Sequence, residues 1–273
     1  MANDMTMPFA MVPIVVPRQM EKPRSHGLTM VVDGGTPLGA LADGLEMAGA
    51  YFDIGKIKVG SARLYAEDYL KRKIALYRDH GCDVFPGGQF LEYVIHVQGM
   101  MGATDYIAET GRLGFTAIEI SDNVVDISDE DRLRLLDACR DAGLKVFSEV
   151  GAKHDTTEPE ELVRQAKLSL DAGAELVLVE AAEFVEGGKV KQSVLDQVTS
   201  SLDMRRVMIE LPGPWIPTVT ESLVADMKKS LIRSIGPDVN LGNVAFDLVL
   251  ELEGARVGLG TEGPPGMRRN TSA

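Results

Sequence analysis

Apolar residues in this chain gather in eight short runs, and longer amphipathic stretches separate them. The runs are residues 27–33 (GLTMVVD), 51–57 (YFDIGKI), 82–86 (CDVFP), 115–121 (FTAIEIS), 144–150 (LKVFSEV), 175–181 (ELVLVEA), 206–211 (RVMIEL) and 238–242 (DVNLG). They are rich in β-branched residues and lack strict alternation, the pattern of parallel strands covered on both faces. Helices are predicted over 37–49, 66–80, 104–113, 128–142, 158–172, 190–201, 219–235 and 245–255. The first opens with a proline and closes on a glycine, and the fourth begins SDED, an N-cap followed by first-turn acids. Eight strands alternating with eight helices, with no dividing linker, predict a single-domain α/β protein. The expected fold is a (β/α)8 TIM barrel rather than an open doubly wound sheet. The barrel is expected over residues 25–260, after an N-terminal arm (1–24) and before a loose Gly/Pro/Arg-rich tail (261–273).

The runs also keep time. Glu119, Glu149, Glu180, Glu210 and Asn240 follow one another at 30 or 31 residues, each at or near the end of a run. A strand, a helix and two turns take about thirty residues, so this is the repeat of a βα unit. A polar residue closing a buried strand is unfavourable unless it works at the strand's mouth. In a barrel, that end carries the chemistry.

The candidate site follows from those positions. Asp33, Asp53, Glu119, Asp122, Glu149, Glu180 and Glu210 could converge on one mouth, where two or three carboxylates would bind Mg²⁺ and others act as general acid or base. We expect Glu149, Asp122 and Glu210 to hold the metal, and Glu119 and Glu180 to act on the substrate. The alternative is pairing with lysines or capping of backbone amides around the rim. Lys56 and Lys153 follow strands two and five, and a lysine there can hold an anion, stabilise an enolate or form a Schiff base. Substrate binding is expected from Asp33, from Gly87 and Gly88, whose amides can approach an anion, and from Asn240, Gly242 and Asn243. The four histidines have no metal spacing, although His154 sits in a strand-end loop; Trp215 lies in a rigid loop that could lid the mouth. No P-loop, GxGxxG or Ser-His-Asp order is present.

Charge narrows the partners. The formal net charge of −13 leaves few basic groups to neutralise phosphates, which argues against nucleic acid. The early apolar stretch 8–17 is short, proline-bearing and without a basic leader, so it reads as an arm packing on the barrel or on a neighbouring subunit. It does not read as a membrane span or signal. Two cysteines do not make a disulfide framework, and a reduced, cytoplasmic protein is expected.

The segments KPRSHGLTMVVDGG, KIKVGSARL, PGGQFLE, EISD, SEVGAK, VEAAE and VNLGNV, followed by LELEGARVGLGT, resemble the phosphosulfolactate synthase family over residues 22–261. The resemblance implies a Mg²⁺-dependent, homo-oligomeric (β/α)8 lyase adding sulfite to phosphoenolpyruvate, a small anionic substrate, in coenzyme M biosynthesis. It implies a metal-held enolate with a lysine at the strand-two mouth, where Lys56 stands. Three positions depart from the family pattern: Gly34, Ala182 and Gly260 stand where the family carries cations. Each lost charge-assisted bond would cost about 1.5–3 kcal/mol on an anion. The departures therefore point to a second expectation, the same metal and enolate chemistry on a less anionic, non-phosphorylated substrate. A third is a ligand-binding barrel without catalysis, which the retained strand-end acids oppose.

Overall fold

The computed structural model describes residues 8–151, 157–186, 189–214, 216, 219–260 and 263–264. Eight parallel strands alternate with eight helices. The strands are β1 (Thr29–Asp33), β2 (Ile54–Ile57), β3 (Asp83–Pro86), β4 (Ala117–Ile120), β5 (Lys145–Val150), β6 (Leu176–Glu180), β7 (Val207–Glu210) and β8 (Asn240–Ala245). The helices are α1 (Leu38–Ala48), α2 (Glu67–Asp79), α3 (Gln89–Leu113), α4 (Asp129–Asp141), α5 (Pro159–Asp171), α6 (Gln192–Ser201), α7 (Glu221–Ile235) and α8 (Val249–Arg256). The sheet runs β3-β2-β1-β8-β7-β6-β5-β4. Its two edges meet where the Thr116 N–H, just before β4, donates to the Val84 carbonyl of β3 at 3.1 Å. The chain is a nearly closed (β/α)8 TIM barrel.

Side chains alternate in and out along every strand, although the sequence hides it because both faces are apolar. Met30, Ile54, Phe85, Ala117, Phe147, Leu176, Leu178 and Met208 meet in the barrel interior, with Phe85 and Phe147 edge-to-face at 5.1 Å. Val31, Ile57, Val84, Val177, Val179, Val207 and Ile209 point the other way, into a core shared with helix residues such as Leu41, Leu70, Leu162, Leu195 and Leu231. Each buried Leu, Val or Ile contributes about 1.5–3 kcal/mol. On this parity Lys56, Glu119, Glu149, Glu180 and Glu210 share the inward face, one layer above the apolar plug.

Two elements differ from expectation in ways that bear on the site. Helix α3 begins at Gln89 rather than near residue 104, and it bends at Gly99, whose φ is 69°. Gly99 and Gly102 weaken the helical signal midway, and the preceding Gly87-Gly88 reads as a turn, so the sequence pattern hides the first half of the helix. Strand β8 spans 240–245 rather than 238–242, with a break in its β1 register between Thr29 and Val31. Asn240 therefore begins its strand, while Glu210 faces Gly242 across the ladder.

The arm is anchored at the opposite end of the barrel. Arg18 pairs with Glu253 at 2.8 Å and with Asp238 at 3.3 Å, and Lys22 donates to the Phe52 and His80 carbonyls at 2.8 and 2.9 Å. No helix among the described residues is long and apolar enough to cross a membrane.

Candidate active site

The inward parity of β2, β4, β5 and β7 brings four charged side chains together at the C-terminal mouth. Lys56 Nζ donates to Glu119 Oε1 and to Glu210 Oε1, both at 2.9 Å. Carboxylate oxygens of Glu119, Glu149 and Glu210 lie within 4.8 Å of one another, and all three residues are buried. Burial pulls Lys56 towards neutrality, but Glu119, Glu210 and Glu149 outweigh it and hold the ammonium well above its ordinary range. Burial also raises Glu119, Lys56 opposes it, and repulsion from Glu149 and Glu210 adds to the rise, taking this carboxyl up to about 7.

The surrounding chain fixes each carboxylate. Gly88 donates its N–H to Glu119 Oε2. A Cβ at Gly88 would meet Ser121 Oγ at 2.4 Å and Glu119 Cγ at 2.9 Å, so only glycine allows this approach. Asn123 Nδ2 donates to Glu149 Oε2 at 2.9 Å, and Asn243 Nδ2 donates to Glu210 Oε2 at 3.1 Å. Asn243 takes a positive φ of 56°, a conformation asparagine tolerates better than most residues. A Cβ at Gly242 would come within 2.6 Å of Met30 Cε and 3.3 Å of Glu210 Cγ; its absence leaves room for Glu210.

These groups form the floor of a cleft of about 300 Å³. Its walls include Val32, Lys58, Val59, Gly87, Gly88 and Gln89, with Glu180 beside Glu210 on the next strand. Val59 has a φ of 45°, rare for a β-branched residue and found here in the cleft wall.

Several expected site residues lie elsewhere. Asp33 has the outward parity: it accepts from Lys73, from Tyr77 Oη at 3.0 Å, and from the Gly35 and Thr36 amides at 3.0 and 2.9 Å. It locks β1 to α2 and does not line the cleft. Asp122 pairs with Arg132 Nη2 of α4 at 2.6 Å and stays outside the three-carboxylate group. Asn240 and Asp53 sit at the opposite end of the barrel, because each is at or before the start of its strand. Asn240 joins Leu28 N at 2.8 Å to the Arg205 carbonyl at 2.9 Å, and Asp53 takes Arg24 Nε at 2.9 Å. Lys153, His154 and Trp215 lie outside the described residues. Sequence reasoning missed Asn123 and Glu92. Glu92 closes the PGGQFLE segment and is an acid in the first turn after a paired glycine, but neither signal gave it a role, and Asn123 gave none.

The donor set suits a hard divalent cation. Three carboxylates face a single ammonium, so the cluster carries excess negative charge, and all the nearby ligand atoms are oxygens.

Comparison with known proteins shows the family. The family model described as (2R)-phospho-3-sulfolactate synthase (ComA) matches residues 17–262. The phosphosulfolactate synthase of Methanocaldococcus jannaschii is 34% identical over 245 residues, covering 86% of this chain and 92% of that protein. The phosphosulfolactate synthase of Methanothermobacter thermautotrophicus is 33% identical over 256 residues, covering 90% and 94%. Among solved structures, type I 3-dehydroquinate dehydratase from Clostridium difficile superposes with a TM-score of 0.54 at 13% identity, over 86% of this chain and 94% of that one, a likeness of fold alone. The matched family spans the strands, the clustered glutamates and Lys56 alike, and this chain belongs to the phosphosulfolactate synthase family of lyase-type enzymes.

Proposed function

We propose that this chain is a Mg²⁺-dependent lyase that adds sulfite to phosphoenolpyruvate through an enolate at the barrel mouth. The observation that carries the reading is the meeting of Lys56 with Glu119, Glu149 and Glu210 on the cleft floor. The family product, (2R)-phospho-3-sulfolactate, has its sulfur on C3 and a stereocentre at C2. The sulfite lone pair forms the C–S bond at C3, the π pair moves towards the carboxylate as an enolate, and C2 then takes a proton from one face. Lys56 is placed to give that proton: its Nζ lies on the cleft floor, 2.9 Å from both Glu119 and Glu210, and solvent protons restore it afterwards. Glu119, Glu149 and Glu210 would hold the Mg²⁺, which when bound would offset the charge building on the substrate carboxylate. The Gly88 amide, Asn123 and Asn243 orient those carboxylates. Gly87, Gly88, Asn243 and Glu180 border the space left for substrate.

A second reading keeps the same chemistry on a less anionic substrate. It is favoured by the charge of the cleft wall, where Lys56 and Lys58 are the cations among the described residues and four glutamates oppose them. Incubation with Mg²⁺, phosphoenolpyruvate and sulfite, followed by mass spectrometry for phosphosulfolactate, separates the two. Turnover supports the first reading; no product, with a non-phosphorylated acid retained by the purified protein, supports the second. The exposed arm residues Phe9, Met11, Val12, Ile14 and Val15 support a homo-oligomer, and the two buried free cysteines suit the reducing cytoplasm.

A further inference from the structure

Two of the three clustered carboxylates depend on one element, the entry to α3, one directly and one through a loop. Gly88 gives its N–H to Glu119. Four residues on, Glu92 is fully buried, yet it is not part of the cleft wall. Its Oε1 accepts from Ser121 Oγ, and its Oε2 accepts from the amides of Val124 and Val125 at 2.6 and 3.2 Å. All three donors belong to the segment that follows β4. That segment carries Asn123, whose side chain donates to Glu149 at 2.9 Å. A buried carboxylate is tolerated only while its donors stay in place, so the conformation of residues 121–125 is tied to Glu92. The path runs from Glu92 through this loop to Asn123 and on to Glu149.

The geometry points to Glu92 as a positioning residue for the carboxylate cluster: it sets the loop so that Asn123 turns Glu149 towards Glu119 and Glu210. Its consequence for metal affinity rests on the Mg²⁺ reading above, whereas the positioning itself rests on hydrogen bonds present without metal. A carboxylate that merely stapled a surface loop would add stability and leave Glu149 where it is. Glu92 differs because the loop it staples ends on a side chain of the cluster.

The test uses the full chain and the variant Glu92→Gln, which keeps the shape but turns one acceptor into a donor facing donors. In metal-free protein, the Asn123 side-chain amide resonances, identified by their loss in Asn123→Ala, should move towards free-amide positions. The Kd for Mg²⁺, by calorimetry, should rise about ten- to a hundredfold, the usual range for a lost outer hydrogen bond. The double variant Glu92→Gln/Asn123→Ala should bind Mg²⁺ no more weakly than Asn123→Ala alone, since both act on one path. Unchanged Asn123 resonances, or additive losses in the double variant, overturn the proposal, even if the melting temperature falls. If the unaltered protein binds no Mg²⁺, the metal reading fails, and the amide resonances still decide the positioning. If Glu92→Gln does not fold, Ser121→Ala removes one of the three donors and is read in the same way.

Discussion

Replacing Glu149 by glutamine should push metal affinity and metal-free stability in opposite directions. Glu149 is buried, and its oxygens lie within 4.8 Å of those of Glu119 and Glu210. At an effective dielectric near 20, each such pair of full charges repels by about 3 kcal/mol. Glu149 feels two such repulsions and one attraction from Lys56, which is already paired with Glu119 and Glu210, so its charge is a net liability while no cation is bound. Glu119 relieves part of that strain by holding a proton near neutral pH. Removing the charge should therefore stabilise the metal-free protein by roughly 1–3 kcal/mol. The glutamine carbonyl can still accept from Asn123, so the local hydrogen bond survives. The metal, however, loses a charged ligand, a difference of about 1.5–3 kcal/mol, which is roughly a ten- to hundredfold weaker Kd. Titration calorimetry with Mg²⁺ reads the affinity, and urea denaturation with and without Mg²⁺ reads the stability. Equal Mg²⁺ affinity in the two proteins, or a metal-free variant less stable than the parent, would refute the reasoning and make Glu149 a structural carboxylate.

The pH dependence of the metal-free protein carries its own sign. Glu119 titrates near 7 when folded against an ordinary 4.5, so between those values the native state binds the extra proton and stability falls as pH rises; denaturation midpoints of Glu119→Gln should show a flatter slope across that window. Lys73 and Asp33 are a fully buried pair, so Lys73→Met should cost about 3–5 kcal/mol of stability while leaving the Mg²⁺ Kd unchanged; a weaker Kd by calorimetry would return Asp33 to the site. A side chain at Gly34 meets no atom within 4 Å, so Gly34→Lys should fold normally and tighten phosphoenolpyruvate by about 1.5–3 kcal/mol if a cation is what the cleft lacks; micromolar binding by the parent with no gain in the variant would show that the anion is already neutralised.

The thirty-residue spacing of Glu119, Glu149, Glu180 and Glu210 was enough to place four strand ends, because a repeated βα unit has a nearly fixed length. All four share the inward parity of their strands, although only Glu180 and Glu210 stand directly opposite each other; Glu149 pairs with Leu178 and Glu119 with Phe147. Lys56 was legible on a different ground, as a lysine at the end of the second apolar run and at the position the family resemblance marks. The strategy failed where a polar residue lay one position off that parity, or at the wrong end of its strand. Asp33 follows an inward Val32 and so faces the helices, and Asn240 opens β8 because that strand is shifted. An acid looks the same in sequence whether its strand turns it inward or outward, since valine and isoleucine flank it on either face. Only the tertiary structure decided those cases, by fixing strand register. It alone could bring Glu92, Asn123 and Glu149 into one path, because residues separated by about thirty positions are joined there by packing of a helix against a loop, and no local propensity or period encodes such a meeting.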